Sequence, residues 1–430
     1  MKNYTKLMYF TRKSLAVFLS FWTLSAGPAF SGTEDAVPEL TPNQKNYFDN
    51  LYKDTWNGLA SLIAPGTGVP YDSTAKPPVT SVSNTGLFLA SAAIAAQTGL
   101  ISREEGFQKI RAALESLRKV KKWRGFPHPW FRVKNLEPSL GDVFSYGSHI
   151  ANLIGGMMVA KNTFPELAGI IEPFIREMKF KELYSPRNGW LKGGYDAGHN
   201  RFAVHQPWGK WYYKFFASET RLLSFYGIAR GAFPPEHWQA LVRTPWRQGK
   251  YKLLASGYEE GGLFTYYATS LFLDERAGEM AQHQKNYALA QMAYAEKAGA
   301  PVWGWSACLT PGGRYLGYGE LRDDTVTPYA STLASIYFPA QVYRNLKTLE
   351  ELGARKPFLV DGRQFFWGFR DSINWNSGEA AKDSLTLNQA MIFLSLANLL
   401  HEGAVWKTFS ADTDVQAGIK RIRALNRQAA

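Results

Sequence analysis

Helical periodicity recurs along almost the whole chain, and this feature restricts the fold more than any other. One helix is predicted to begin beside Thr41, with Thr41 as its N-cap and Pro42 in the first helical position. A second begins at the capping-box pair Ser102 and Glu105. Further helices are predicted over segments 143–161, 218–230, 235–243, 280–298, 329–349, 385–401 and 412–425.

The segments between these helices are long loops rich in Gly, Pro, Trp and Asn, such as SPRNGWLKGGYDAGHN and FWGFRDSINWNSG. Strand-like alternation of apolar and polar residues is scarce, and no sequence repeat of short period indicates an open solenoid. We therefore predict an all-α fold in which helix pairs close into a ring and the loops gather at one mouth. Such a scaffold would hold functional residues on its loops. A single domain is predicted over residues 41–430.

The N-terminal sequence is typical of a secretory signal peptide. Four Lys and Arg residues precede an apolar run from Leu15 to Leu24, which is followed by the small residues SAGPAFSG. The predicted signal peptide covers residues 1–31, with cleavage after Ser31, and residues 32–40 form a short leader. The apolar run is too short for a permanent membrane anchor. Because Cys308 is the only cysteine, no internal disulfide can form, and a secreted or periplasmic bacterial protein is expected.

Charge and motifs exclude several classes of function. The formal net charge of +13 would attract anionic partners, but export makes nucleic acid the least expected of them. The sequence has no HExxH motif, Cys/His cluster or EF-hand loop, so neither a metal nor a cofactor is expected. It also lacks a GxSxG elbow, a P-loop and a dinucleotide-binding fingerprint. We expect a monomer that acts on a polysaccharide or oligosaccharide.

Carboxylates next to aromatic residues are the remaining chemical signal. Aromatic residues make up 15% of the chain, including 14 Trp and 22 Tyr. Rings that stack on sugar faces, together with acids that handle protons and hydroxyls, are the composition of a carbohydrate site. Five acids lie in such surroundings: Asp142, Asp196, Glu219, Asp324 and Asp371.

Three of these acids also have a purely structural interpretation. Asp142 lies at the start of a predicted helix and could cap it. Asp324 precedes Thr325 in a similar way, so capping or turn formation is the alternative for that residue. Asp196, in a glycine-containing loop, could form an Asx-turn.

Ion pairing is the alternative for the other two acids. Glu219 could form a buried bridge with Arg221 or Arg230, and Asp371 could pair with the adjacent Arg370. The residues alone therefore leave a structural and a catalytic role open for both.

Several stretches, taken in order, resemble the bacterial glycoamylase-like domain, which is found in endo-β-1,2-glucanases and in proteins that process cyclic β-1,2-glucan. The resemblance covers roughly residues 80–410, and its most specific motifs are SETR…IARG…EHW and WGFRDS.N. SGYEEGGLFTYYATSLF, APVWGWSACL and DDTVTPYAS lie between them. One departure is Thr265, which follows Phe264 where many relatives have glutamate.

The resemblance implies an (α/α)6 barrel and an inverting glycoside hydrolase that uses two carboxylates. The glutamate of the SETR motif is Glu219, which resembles the general acid. The aspartate of the WGFRDS motif is Asp371, which resembles the general base. Asp142 resembles an aspartate that faces the sugar-binding cleft.

Local sequence agrees with these two implied roles. Glu219 follows Phe215, Phe216 and Ala217, and poor solvation among such residues would raise the pKa of its carboxyl, as a general acid requires. Asp371 lies in a more polar loop and is expected to stay ionised. An inverting enzyme would hold the two carboxyls about 6.5–9.5 Å apart.

The remaining candidates are predicted to bind substrate through rings, hydroxyls or carboxylates. Together with Asp142 they are Trp130, Tyr195, Asp196, His199, Trp303, Trp305, Asp324 and Trp367. Trp190 and Trp208 are further stacking candidates, although some of these tryptophans are expected to belong to the core.

Other functions stay open. A polysaccharide lyase that acts on a uronate polymer could be assembled from Tyr195, His199, Asn200, Arg201 and His205. Transglycosylation differs from hydrolysis only in the acceptor. A non-catalytic glycan-binding protein could be built on the same scaffold.

Overall fold

The computed structural model describes residues 39–139, 141, 143–202, 204–205, 209–210, 212–256, 262–317, 323–360 and 363–429. The predicted signal peptide of residues 1–31 lies outside these residues, and so does nearly all of the predicted leader. Among the helices described, none has both the length and the apolar character that a bilayer span needs.

The described chain is mostly helical. The α-helices are α1 Pro42–Ser61, α2 Val82–Gln97, α3 Arg103–Lys119, α4 Gly147–Thr163, α5 Ala168–Glu177, α6 Arg221–Ala229, α7 His237–Ala240, α8 Gly262–Tyr267, α9 Glu279–Ala298, α10 Pro328–Leu333, α11 Pro339–Glu351, α12 Thr386–Leu400, α13 Ala404–Ser410 and α14 Thr413–Ala429. Short 3-10 helices follow α4, α5, α8 and α10 at Pro165–Leu167, Phe180–Leu183, Ala268–Leu271 and Ala334–Ile336.

The inner helices α2, α4, α6, α8, α10 and α12 form a closed ring. Side chains of α2, α4 and α12 are buried on almost every face, as expected for helices enclosed by other helices. Neighbouring helices pack in the order α2, α4, α6, and α8, α10, α12, with α12 returning to α2. Arg221 at the start of α6 links to α8 by donating a hydrogen bond to the Tyr266 carbonyl at 3.4 Å.

Outer helices cover this ring. Helix α1 packs on α12, α3 on α2, α5 on α4, α14 on α6, α9 on α8, and α11 on α10. This is an (α/α)6 barrel, and it confirms the predicted fold class.

The tightest packing in the ring joins α2 and α4 through two glycines. A Cβ atom added to Gly156 would lie 1.8 Å from the Gly86 carbonyl oxygen, and one added to Gly86 would lie 2.4 Å from the Asn152 carbonyl oxygen. Neither distance can accommodate a side chain, so only glycine permits this approach.

The strands are short and mostly belong to the loops at one mouth. They are β1 Val79–Ser81, β2 Lys122–Trp123, β3 Phe126–Pro127, β4 Trp130–Arg132, β5 Val143–Ser145, β6 Tyr184–Ser185, β7 Trp190–Lys192, β8 Gly194–Asp196, β9 Arg201–Phe202, β10 Val204–His205, β11 Gly209–Lys210, β12 Tyr212–Tyr213, β13 Pro245–Gln248, β14 Tyr251–Leu254, β15 Cys308–Leu309, β16 Tyr315–Leu316, β17 Thr325–Val326, β18 Phe358–Val360, β19 Arg363–Phe365 and β20 Ile373–Asn374. Each described pair is antiparallel, as in β5–β8–β9 and β15–β16.

Predicted helix boundaries hold where a capping residue is present. Thr41 caps α1 in a full capping box with Gln44, and Ser102 caps α3 by accepting a hydrogen bond from the Glu105 amide. The continuous helix predicted over 329–349 is wrong, because Phe338 before Pro339 leaves the helical conformation and a new helix begins. The helix predicted from 143 begins later, since 143–145 form β5.

Candidate active site

Loops at the N-terminal ends of the inner helices bring several carboxylates into one region. Glu219 lies in the turn between β12 and α6, and its residue is only 7% exposed. Ser218 donates its hydroxyl to Glu219 Oε2 at 3.2 Å. A hydrogen bond from the Phe216 amide to the Val242 carbonyl, at 3.0 Å, holds the segment that leads into this turn.

Both arginines that could have formed a bridge with Glu219 bind other acids. Arg221 is fully buried and pairs with Glu275, with Nε to Oε1 at 2.9 Å and Nη2 to Oε2 at 2.7 Å. Its other donors reach backbone carbonyls, so its five N–H groups are all used. Arg230 pairs with Asp414 at 2.5 Å. These geometries provide no support for Glu219 as a partner of either arginine.

Asp371 is buried between three segments and accepts hydrogen bonds on both oxygens. Oδ1 accepts from the Leu385 amide and from Asn388 Nδ2, both at 2.9 Å. Oδ2 accepts from the Leu309 amide at 2.5 Å and from Asn388 Nδ2 at 3.1 Å. Arg370 binds two backbone carbonyls instead, so no ion pair forms with its neighbour. The carboxylate thereby ties the β15–β16 hairpin to the start of α12.

Burial governs the protonation of Asp371. The side chain is buried although its stretch of sequence is polar, with the residue 2% exposed. Desolvation raises the pKa of Asp371 to about 6, and the negative charge of Asp72 adds to the rise. The hydrogen bonds from Leu385, Leu309 and Asn388 stabilise the carboxylate and limit the shift. Asp371 is therefore mainly ionised at neutral pH.

Tyr315 lies on the hairpin that Asp371 holds. It is on β16, directly opposite Leu309, whose amide binds Asp371, and 56% of the residue is exposed. Desolvation of the hydroxyl raises its pKa, and the negative charges of Asp371 and, more weakly, Glu219 raise the pKa further.

Asp72 is a further carboxylate in the same region. Asn84, in the first turn of α2, donates its side-chain amide to Asp72 Oδ1 at 2.7 Å. The Asp72 carbonyl accepts a hydrogen bond from the Thr386 amide at 2.9 Å, next to the Leu385 amide that binds Asp371. Burial raises the pKa of Asp72, whereas the hydrogen bond from Asn84 lowers it. Asp72 and Asp371 thus lie beside adjacent amides at the start of α12.

The predicted residues on the β5–β8–β9 sheet lie in a hairpin with its own contacts. Tyr195 stacks on Trp123 with ring centroids 3.9 Å apart. Asp196 binds His199 Nδ1 at 2.8 Å and accepts from the His199 amide at 3.2 Å, an Asx-type turn. Partial burial opposes ionisation of Asp196, but these bonds outweigh it and its pKa is lowered. The side chain of His199 is 70% exposed at the hairpin tip.

The predicted tryptophans have different surroundings. Trp130 is half-buried, and its ring meets His149 edge-on with centroids 5.8 Å apart. Trp303 is 6% exposed and is held by Asn345 through its backbone. Trp305 is 1% exposed, with its indole N–H bound to the Asp323 carbonyl at 2.6 Å, so it has no free surface for a sugar.

Trp367 and Asp324 complete the set. Trp367 is 7% exposed and stacks between Phe358 and Phe365 of the β18–β19 hairpin. Asp324 is half-buried and accepts a bond from Asn376 at 3.3 Å. Asp142 and Trp208 lie outside the described residues.

Sequence reasoning missed Asp72, Asn84, Tyr315 and Asn388. No local pattern marks three of them, because Asp72 lies in a polar turn segment, VPYDSTAK, and Asn84 and Asn388 lie inside helices. Tyr315 has a weak signal, since it is an aromatic residue in the glycine-rich stretch TPGGRYLGYG. Their proximity depends on tertiary contacts between distant segments.

Comparison with known proteins matches this chain to carbohydrate-active proteins. Residues 211–413 match the Glycoamylase family model. The cyclic β-(1,2)-glucan synthase NdvB of Rhizobium meliloti is 27% identical over 264 residues, which cover 56% of this chain and 9% of the synthase. The chain thus spans about a tenth of the length of that curated relative.

Solved structures extend the likeness to nearly the whole chain. The endo-β-1,2-glucanase of Chitinophaga pinensis, in complex with sophorotriose and glucose, has a TM-score of 0.74 at 18% identity, covering 89% of this chain and 98% of that one. The β-1,2-glucanase of Parabacteroides distasonis has a TM-score of 0.72 at 15% identity, covering 90% and 60%. The endo-β-1,2-glucanase of Talaromyces funiculosus, in complex with sophorose, has a TM-score of 0.64 at 14% identity, covering 90% and 91%. The resemblance drawn from the motifs is confirmed: this chain is similar to the glycoamylase-like family and has the fold of these β-1,2-glucanases.

Proposed function

We propose that this protein is an exported glycoside hydrolase that cleaves β-glucan, with β-1,2-glucan as its substrate. Glu219 is the general acid and Asp371 the general base of an inverting mechanism. The observation that carries this proposal is the placement of two buried carboxylates in loops that lead into inner helices of the barrel, Glu219 before α6 and Asp371 before α12. Two acids around one open region are the minimum requirement for glycoside hydrolysis.

The surroundings of the two acids support different tasks. Glu219 is almost fully buried. Arg221, two residues further along the chain, forms its ion pair with Glu275. A carboxyl in such a place is suited to hold a proton until the leaving oxygen takes it. Asp371, with its pKa at about 6 and several donors to its oxygens, is ionised at neutral pH and can accept a proton.

The proton balance of the reaction follows from these two states. Glu219 gives its proton to the glycosidic oxygen as the bond between this oxygen and the anomeric carbon breaks. A water molecule on the opposite face forms the new bond to the anomeric carbon and loses one proton toward Asp371. The leaving sugar thus gains a hydroxyl, and the two acids exchange their protonation states until solvent restores them.

The choice of β-1,2-glucan is supported by the relatives. Three similar structures are β-1,2-glucanases, two of them in complex with sophorose or sophorotriose, and the related synthase makes cyclic β-(1,2)-glucan, as its name states. The formal net charge of +13 would also favour a glucan that carries anionic substituents.

Product analysis tests this function. The purified protein and its Glu219→Gln variant are incubated with linear β-1,2-, β-1,3- and β-1,4-glucans and with a uronate polymer. We expect short β-1,2-gluco-oligosaccharides from the parent and none from Glu219→Gln.

Glu236→Gln provides the matched control, because Glu236 is an exposed glutamate in the same sequence motif, SETR…EHW, and this variant should retain full activity. Cleavage of the uronate polymer with a UV-absorbing product would indicate a lyase instead. Binding without cleavage by the parent would indicate a glycan-binding protein.

A further inference from the structure

Groups of the protein already occupy most of the acceptor capacity of Asp371. A carboxylate offers about four lone-pair sites, and Leu309, Leu385 and Asn388 each donate to its oxygens. The capacity that remains is needed for the water molecule that the proposed general base activates. A sugar hydroxyl nearby must therefore find another acceptor, because an unpaired hydroxyl in a protein cleft is costly.

Asp72 offers that acceptor. Its Oδ1 is held by Asn84 at 2.7 Å, whereas its Oδ2 accepts no hydrogen bond from any described residue. The side chain is half-buried, so part of it can be reached from solvent and it is not enclosed in the core. A carboxylate fixed on one oxygen and open on the other is arranged to bind a donor from outside the protein.

The backbone of Asp72 is also fixed, so the open oxygen has a defined direction. Residues 71–74 run antiparallel to residues 384–386 at the start of α12, with the Thr386 amide bound to the Asp72 carbonyl and the Thr74 amide to the Ser384 carbonyl at 3.0 Å. The Thr386 hydroxyl binds the Tyr71 carbonyl at 2.5 Å. A preorganised acceptor loses little entropy when a ligand binds.

Tyr315 belongs to the same region through a chain of backbone contacts. Its partner on β15, Leu309, donates its amide to Asp371, and Asp371 also accepts from the Leu385 amide, next to the Thr386 amide that binds the Asp72 carbonyl. The negative charge of Asp72 also raises the pKa of Tyr315. The hydroxyl makes no hydrogen bond to a described residue, and the residue is the most exposed of the large apolar or aromatic ones identified as exposed. An exposed ring next to a carboxylate is the usual combination that binds one face and one hydroxyl of a sugar.

We propose that Asp72 is a third functional carboxylate of this site, which accepts a hydrogen bond from a glucosyl hydroxyl, and that the Tyr315 ring packs against the same sugar. This inference rests on the proposed function, because it assigns the sugar contacts of the same cleft. Glu219 and Asp371 carry out the proton transfers, and Asp72 with Tyr315 holds the sugar between them.

Binding measured without turnover tests the inference. In the Glu219→Gln background, calorimetry with a β-1,2-gluco-oligosaccharide compares the single variant with versions that also carry Asp72→Asn or Tyr315→Ala. A hydrogen bond to a charged group contributes roughly 1.5–3 kcal/mol, so Asp72→Asn should weaken binding about 10- to 100-fold. The side-chain oxygen of the new asparagine would still accept the bond from Asn84, so the loop should keep its position.

Asp383→Asn is the matched control. Asp383 anchors the same segment through the Thr74 hydroxyl at 2.8 Å, but it is not a proposed sugar ligand. Binding should stay within about threefold in this variant. If Asp383→Asn weakens binding as much as Asp72→Asn does, Asp72 acts only by anchoring the loop and the inference fails.

The remaining outcomes separate this inference from the proposed function. Equal binding before and after the Asp72→Asn change overturns the inference and leaves the hydrolase proposal intact. If no β-1,2-gluco-oligosaccharide binds to Glu219→Gln and the parent cleaves no β-glucan, both proposals fail. Tyr315→Ala probes the same sugar without touching the contact between Asp72 and Asn84, so it decides the matter if Asp72→Asn does not fold.

Discussion

Asp371 Oδ2 lies 2.5 Å from the backbone amide of Leu309, and Leu309 pairs with Tyr315 across the β15–β16 hairpin. The proposed general base is therefore also the attachment point of the hairpin that carries the exposed tyrosine. A substitution of Asp371 should therefore lower both the catalytic activity and the stability of the protein.

Asp371→Asn should lose activity and stability at once. An asparagine would turn an amide donor toward the Leu309 or Leu385 N–H, and this would leave a buried donor unsatisfied at a cost of about 1–3 kcal/mol in the free energy of unfolding. Loss of the base should lower kcat at least about 100-fold. Urea unfolding and initial rates on β-1,2-glucan measure the two effects.

Glu219→Gln is the comparison, since it should lower kcat with little change in stability. An Asp371→Asn variant within tenfold of parent activity would falsify the base assignment.

Activity should fall on acidification below about pH 6, the pKa of Asp371 in the folded protein. Protonation removes the acceptor, so kcat/KM, which reports the pKa values of the free enzyme, should drop about tenfold for each further pH unit. The stability effect has the opposite sign: because the folded pKa lies above the ordinary value of 3.8, the contribution of Asp371 to stability is fully present below 3.8 and is lost as the pH rises through about 6. Circular dichroism at the assay temperature should show a folded protein where kcat/KM has already declined. A rate that stays constant down to pH 4.5 would contradict this assignment.

The configuration of the first product reports the mechanism. Direct attack of water on a β-glucosidic bond should release the α-anomer, and the two carboxyls should then be about 6.5–9.5 Å apart. Proton NMR within the first minutes of hydrolysis distinguishes this product from the β-anomer before mutarotation. A β-anomer would instead require a covalent intermediate or transfer through a retaining pathway.

The buried pair of Arg221 and Glu275 should be the more sensitive of the two ion pairs at the ends of α6. Their side chains are 0% and 6% exposed, so Glu275→Gln leaves a buried cation without its charge partner and should cost about 3–5 kcal/mol. Asp414→Asn removes the partner of Arg230, where the side chains are 27% and 31% exposed, and should cost less than about 1 kcal/mol. Thermal unfolding of both variants provides the comparison. Equal losses would mean that burial does not set the strength of these pairs.

Capped and amphipathic helices could be predicted from the sequence because their signals are local. Thr41 and Ser102 determine helix starts through bonds within one turn. Helix α2 was missed for a physical reason: it is buried on nearly all sides, so its sequence VSNTGLFLASAAIAAQ shows no apolar stripe. The break before Pro339 is local too, but the apolar periodicity on either side of it masked the break.

The residues of the site divide in the same way, into those with a local sequence signal and those without one. Glu219 could be singled out because a charged residue in an apolar stretch is unusual in itself. Asp72 could not, since polar neighbours are normal for an aspartate in a turn, and only its pairing with the start of α12 places it beside Asp371. The same applies to Tyr315, whose position depends on a hairpin attached through another segment.

The attachment of the β15–β16 hairpin to Asp371 has a consequence for how such chains change over evolutionary time. A descendant that abandoned catalysis but still bound glucan would remain under selection to retain this aspartate, because the hairpin depends on it. Selection on Glu219 follows from its proposed proton transfer, so we expect this position to drift first once catalysis is abandoned. Among divergent homologues, the residue at position 219 should therefore distinguish enzymes from their inactive descendants, whereas an aspartate at 371 would be shared by both.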